Sequence, residues 1–173
     1  MTHSELAKKL FDVAHLTGEF KLRSGQISHE YFDKYRFEAQ PELLREIARQ
    51  MAQFVPKDTE VLAGLEMGGI PVATAISLET GIPVSFVRKK AKDYGTCLFA
   101  EGAVIENKRV CIIEDVITSG GQVILSTADL RSVKANINTV LCVINRGGDE
   151  AIEKLKAIDL QVKSLFVRQD FPK

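Results

Sequence analysis

Leu6, Leu10, Val13 and Ala14 recur at helical spacing behind a Thr2-to-Glu5 capping box, so the chain opens with an amphipathic helix that Gly18 is expected to stop. The segment FKLRSGQISHEYFDKYRF follows, with apolar and aromatic residues alternating loosely around Ser24-Gly25, and predicts a hairpin or a pair of short strands. Pro41 begins a second helix, whose Leu43, Leu44, Ile47, Ala48, Met51, Phe54 and Val55 fall on one stripe. Beyond it the period changes. Short runs, EVLAGL, PVSFVR, RVCIIED, NTVLCVI and VKSLFV, are separated by helical stretches starting near Ile70, Gln122 and Asp149. Runs this continuously apolar suit parallel strands covered on both faces, so the expected architecture is an open, doubly wound α/β sheet. No internal repeat, low-complexity tract or interdomain linker interrupts it.

Ligands in such sheets bind beyond the carboxyl ends of the strands. The run Arg109 to Ile113 leads into Glu114-Asp115-Val116-Ile117-Thr118-Ser119-Gly120-Gly121, and a helical pattern follows at once. Glycines and small hydroxyl residues let backbone N–H groups approach a phosphate, and the helix amino terminus adds a partial positive charge. The carboxylates would repel that phosphate, so they should engage hydroxyl groups, a metal ion or both nearby. A phosphorylated sugar offers both kinds of group, whereas a plain strand-to-helix turn explains the composition alone. Neither a Walker A loop nor a dinucleotide fingerprint is present.

After Val87 comes Arg88-Lys89-Lys90-Ala91-Lys92-Asp93-Tyr94-Gly95, and no regular pattern resumes until about Arg109. Loops longer than ~12 to 15 residues are often lids or binding segments. Four cations in five residues suit a polyanion such as pyrophosphate, with a solvated basic loop as the equal alternative. Glu66-Met67-Gly68-Gly69 precedes another helix start and offers either a second phosphate turn or close packing. Arg146, after the run ending at Ile144, could grip a carboxylate with its planar fork or form a surface salt bridge. His3, His15 and His29 are scattered without metal-ligand spacing, and none is given a catalytic role.

Composition narrows the partners. The chain has 173 residues, 45% of them hydrophobic, and its 23 basic residues balance 23 acidic ones to a formal charge of zero. No global field favours nucleic acid or an anionic membrane, so any anion site must be local. No window approaches the ~18 apolar residues that span a bilayer, and MTHSELAKKL lacks a signal-peptide apolar run. A soluble, cytoplasmic protein is expected. Cys97, Cys111 and Cys142 lack zinc or redox spacing and are expected as reduced thiols, two of them in core strands.

The string Glu-Asp-Val-Ile-Thr-Ser-Gly-Gly after four apolar residues resembles the signature of type I phosphoribosyltransferases. Together with the basic loop and Phe20-Lys21-Leu22-Arg23-Ser24-Gly25, followed by Ser28, Tyr31, Phe32 and Asp33, it is similar to the orotate phosphoribosyltransferases. The resemblance implies one domain over residues 1–173, built on a mainly parallel five-stranded sheet with helices on both faces and a small amino-terminal hood of about residues 1–37. It implies transfer of the phosphoribosyl group of phosphoribosyl pyrophosphate (PRPP) to orotate, giving orotidine 5′-monophosphate for pyrimidine synthesis. By the same resemblance Arg88, Lys89, Lys92, Glu114, Asp115, Val116, Ile117, Thr118, Ser119, Gly120 and Gly121 would bind PRPP. Arg23, Tyr31, Phe32, Thr118 and Arg146 would bind orotate. Lys92 and Asp115 would be catalytic, and Mg²⁺ would be held mainly through PRPP, without a dedicated protein site. A homodimer in which loop 89–102 reaches the partner's site is also implied. Arg23 stands where many members carry Lys, Gly68 where some carry a pyrophosphate-binding Lys, and Tyr94 where many carry His. Two other functions remain open: transfer to another base, and a regulator that binds PRPP or a nucleotide without catalysis.

Overall fold

The computed structural model describes residues 1–22, 25–90 and 99–171. Helix α1 (His3–Ala14) carries the expected capping box, with Glu5 N–H donating to the Thr2 hydroxyl and Thr2 N–H to the Glu5 carboxylate. It stops at Ala14 instead of Gly18 because His15 is already extended and begins β1 (His15–Lys21), which holds Gly18 in its interior. Strand β1 pairs antiparallel with β2 (Ile27–Phe32), and the Asp33 N–H closes on the Ala14 carbonyl. Strand pairing therefore captures the backbone that would have continued the helix. Asp33 then caps a short helix, α2 (Lys34–Glu38), and Pro41 opens α3 (Pro41–Met51).

The remaining elements alternate: β3 (Val61–Leu65), α4 (Gly69–Thr80), β4 (Val84–Val87), β5 (Ala100–Gly102), β6 (Arg109–Ile117), α5 (Gly121–Ser132), β7 (Asn136–Asn145), α6 (Gly148–Lys156) and β8 (Gln161–Val167). They form one sheet in the order β5-β4-β3-β6-β7-β8, in which five strands run parallel and β5 pairs antiparallel with β4. The sheet therefore has one strand more than expected. β5 lies in the stretch read as irregular, where Ala-Glu-Gly offers too few residues for a period to show.

Alternation along the strands divides the core in two. Leu62, Cys111, Ile113, Leu141 and Val143 face α1, α3 and α4, together with Phe37 and Phe166. Val61, Ala63, Leu65, Val110, Ile112, Val140 and Cys142 face α5 and α6. Both faces are thus covered, which accounts for the unbroken apolar runs. Cys111 and Cys142 are free and buried, and burial pushes the Cys111 thiol up to about 12; Cys97 lies outside the described residues. From β3 the chain steps to β4 on one side and later returns to β6 on the other. Neighbouring strands whose connections leave in opposite directions open a crevice at their carboxyl ends, and here that crevice lies between β3 and β6.

Candidate active site

The turn between β6 and α5 is built for close backbone approach. Gly120 adopts φ +78°, a left-handed conformation that glycine takes without strain, and its α-carbon lies against Leu155 of α6. Gly120 has no side chain to cap α5, and apart from a long 3.4 Å bond from Gly121 N–H to Ser119 Oγ the first N–H groups of this 12-residue helix are available to an anion. Thr118, Ser119 and Gly121 are exposed beside them. The neighbouring turn locks this one in place: Arg146 and Gly147 both donate their N–H to the Ile117 carbonyl, at 2.8 and 3.2 Å. A β-carbon on Gly147 would lie 1.7 Å from the Thr118 carbonyl oxygen. The side chains of Val116 and Ile117, expected among the PRPP contacts, pack in the two cores.

The acidic pair, expected to engage hydroxyl groups or a metal ion, is buried. Asp115 is fully buried, and its Oδ2 pairs at 2.5 Å with Lys34 Nζ from α2. Glu38, one turn on from Lys34, also reaches Asp115, and its buried Oε1 has no hydrogen-bond partner among the described residues. Burial, then the charge of Asp115, pushes Glu38 up to about 8. Burial likewise holds Glu114 well above the carboxylate range. Asp115 is itself penalised by burial, but hydrogen bonds from Glu114 and Lys34 outweigh this and keep its pKa low. Burial thus favours the protonated form of Glu38 and Glu114, while the Lys34 ammonium favours the ionised form of Asp115. A β-carbon on Gly68, after β3, would meet Asp115 Oδ2 at 1.6 Å, so only glycine fits there.

The basic segment starts at the next strand end. Arg88 Nε faces Glu101 Oε1 of β5 at 3.4 Å, and Arg88 N–H donates to the Phe99 carbonyl at 2.7 Å. Residues 100–102, expected within the loop, are thus part of the sheet. Lys89 N–H donates to the Glu66 carboxylate, and the Arg88, Lys89 and Lys90 side chains are exposed. Lys92 and Arg23 lie outside the described residues.

The orotate candidates converge. Tyr31, Phe32 and Arg146 line one 660 Å³ pocket, with the Arg146 guanidinium 5.7 Å from the Phe32 ring centroid. Phe11, His15, Arg168 and Phe171 complete its walls, and sequence reasoning assigned none of these to the site. Lys34 and Glu38 were missed as well. Their i,i+4 spacing places them on one face of α2, but nothing local shows that this face turns inward. Among the described residues no group of three or more His, Cys, Asp or Glu could hold a metal ion.

A glycine turn and an acidic pair at the carboxyl ends of β3 and β6, under a hood, agree with the comparisons. The phosphoribosyl transferase domain family matches residues 35–170, and the chain belongs to that family. Similar proteins there include orotate phosphoribosyltransferases. It is 52% identical over 165 residues to that of a Nocardioides species, covering 95% of this chain and 92% of the other. It is 40% identical over 137 residues to that of Halobacterium salinarum, covering 78% of each. The Mycobacterium tuberculosis orotate phosphoribosyltransferase in complex with PRPP superposes with a TM-score of 0.82 at 27% identity, covering 97% of each chain. The domain match begins at residue 35, whereas 95% coverage requires most of residues 1–34, so the Nocardioides likeness extends into the hood.

Proposed function

We propose that this chain is an orotate phosphoribosyltransferase, joining a ring nitrogen of orotate to C1 of the ribose of PRPP as the bond from C1 to pyrophosphate breaks. The observation that carries this reading is the adjacency of the two subsites. Arg146 lines the pocket shared with Tyr31 and Phe32, while its own N–H holds Ile117, the residue before the Thr118–Gly121 cradle. Arg146 would pair with the orotate carboxylate and the aromatic rings would cover its face, and we assign Arg23 and Thr118 to orotate contacts as well. Transfer to a base without a carboxylate leaves Arg146 without a partner in that pocket.

In this reading Thr118 to Gly121 hold the 5-phosphate, Glu114 and Asp115 the ribose hydroxyls, and Arg88, Lys89 and Lys92 the pyrophosphate. Positive charge builds on the ribose and negative charge on the leaving group, so fixed charges near each stabilise the transition state. Asp115, whose ionised form Lys34 favours, would be the anionic group that meets the ribose. Mg²⁺ enters as part of the substrate, bound to the PRPP oxygens. We further assign the chain to the cytoplasm and to a homodimer in which the basic loop serves the partner's site. One domain spanning residues 1–173, with the hood over about residues 1–37, belongs to the same proposal. A spectrophotometric assay with orotate, uracil, hypoxanthine or adenine, each with PRPP and Mg²⁺, tests the reading. Turnover of orotate alone supports it, and consumption of a purine without orotate overturns it.

A further inference from the structure

A buried carboxylate sealed by an ammonium cannot accept a hydroxyl until that ammonium moves. Asp115 has no exposed surface, and Lys34 Nζ sits on its Oδ2 at 2.5 Å. Lys34 itself is 31% exposed, so it is the one member of the cluster with a path outward. Its position is also distinctive. Asp115 Oδ2 lies 1.6 Å from the point a Gly68 β-carbon would occupy, and Lys34 Nζ lies 2.5 Å from Oδ2, which together put the ammonium at most 4.1 Å from that point. A cation delivered from the hood thus stands within 4.1 Å of the glycine turn after β3, on the carboxylate that packs against that turn.

We infer that Lys34 is a PRPP-binding residue held in place by Asp115: when PRPP arrives, the ribose hydroxyls take over Asp115 and the ammonium passes to the pyrophosphate at the Gly68 turn. This rests on the phosphoribosyl transfer proposed above. The exchange leaves neither group without partners, because the carboxylate trades one ammonium for two hydroxyl donors while the ammonium trades one carboxylate for a more highly charged anion. The other groups facing Asp115 favour it. Burial raises the pKa of Glu38 of α2 and Glu114 of β6, which favours the protonated form that can donate to Asp115 after Lys34 has left. Asp33 and Tyr35 flank the same helix turn, and Cys142 of β7 stays a thiol.

The test measures Mg·PRPP binding by calorimetry without orotate, so it stands even if the accepted base proves different. Lys34→Met should weaken Mg·PRPP at least tenfold while changing the orotate KM less than threefold, and Lys34→Arg should restore most of the affinity. The acid limb of kcat/KM for PRPP should also move to higher pH in Lys34→Met, since Asp115 loses the ammonium that keeps it ionised. Affinity within twofold of the parent protein would show that Lys34 is only a buried counterion. Acetic anhydride footprinting of the unmodified protein supplies a second measurement that needs no variant. Mg·PRPP should shield Lys34 at least threefold while leaving the exposed Lys8 unchanged. Unchanged labelling of Lys34, or increased labelling from an ammonium released to solvent, overturns the inference. If Mg·PRPP does not bind the parent protein, the phosphoribosyl-transfer reading itself has failed.

Discussion

Replacing Gly68 by alanine places a carbon 1.6 Å from Asp115 Oδ2 and 2.9 Å from Glu38 Oε1, far inside van der Waals contact. Asp115 cannot swing aside cheaply. Its Oδ2 is held by Lys34 and its Oδ1 accepts the Val116 N–H, both at 2.5 Å. Either the start of α4 moves, or the ion pair opens and leaves a buried carboxylate short of its partner. Overpacking of this kind costs about 1 to 3 kcal/mol. Opening the pair adds to that, though less than the full penalty of a buried ion because Lys34 retains contact with water. For a chain of this length 1 kcal/mol moves Tm by about 2 to 4 °C, so scanning calorimetry of Gly68→Ala should show a fall of roughly 2 to 12 °C. Affinity for PRPP should fall as well, since Asp115 would be displaced. Gly121→Ala is the steric control for Tm alone, because its β-carbon would meet only Ser119 Oγ at an ordinary 3.6 Å. A Gly68→Ala protein with a Tm within about 1 °C of the parent and unchanged PRPP affinity would refute the packing of Asp115 against that turn.

Arg146→Ala should raise the orotate KM by the loss of a charged hydrogen-bond pair, about 1.5 to 3 kcal/mol or roughly 10- to 150-fold, with little effect on PRPP; an equal effect on both substrates would argue for a role in holding the turn. Glu38 titrates near 8 in the fold, above its ordinary 4.5, so its contribution to stability is complete below about pH 4.5 and is lost as pH rises through about 8. Glu38→Gln should therefore gain stability relative to the parent between pH 5 and 9 in thermal melts, and a difference independent of pH would contradict that assignment. Mixing inactive Lys92→Ala with inactive Asp115→Asn protein should restore activity if the basic loop serves the partner's site, because one of the two sites would combine an intact cradle with an intact loop. No recovery after confirmed subunit exchange would remove that arrangement.

The strands of the sheet were legible because β3, β6 and β7 are buried on both faces, and burial on both faces writes itself as consecutive apolar residues. Residues at strand ends were legible for a different reason: Thr118 to Gly121 carry a backbone requirement that few residue types meet. The protonation and burial of the acidic pair were not legible. They depend on Lys34 and Glu38, which lie on a five-residue helix with no room for a periodic signal, and which meet Asp115 only once the hood packs down. The walls supplied by Phe11, His15, Arg168 and Phe171 escaped for the same reason, since no local pattern links the two ends of the chain.

That meeting of chain ends has a consequence for the order in which the protein is made. His3 of α1 lies 4.5 Å, ring to ring, from Phe166 of β8, and Phe171 lies 6.4 Å from Phe11 and 5.9 Å from Phe32. These contacts span nearly the whole chain, so the loop between them must close before they contribute, which makes them late events in folding. On the ribosome the phosphate cradle can assemble while the last residues are still being added, whereas the aromatic pocket must wait for them. A nascent chain released a few residues early would therefore keep its affinity for the sugar phosphate and lose its hold on the base.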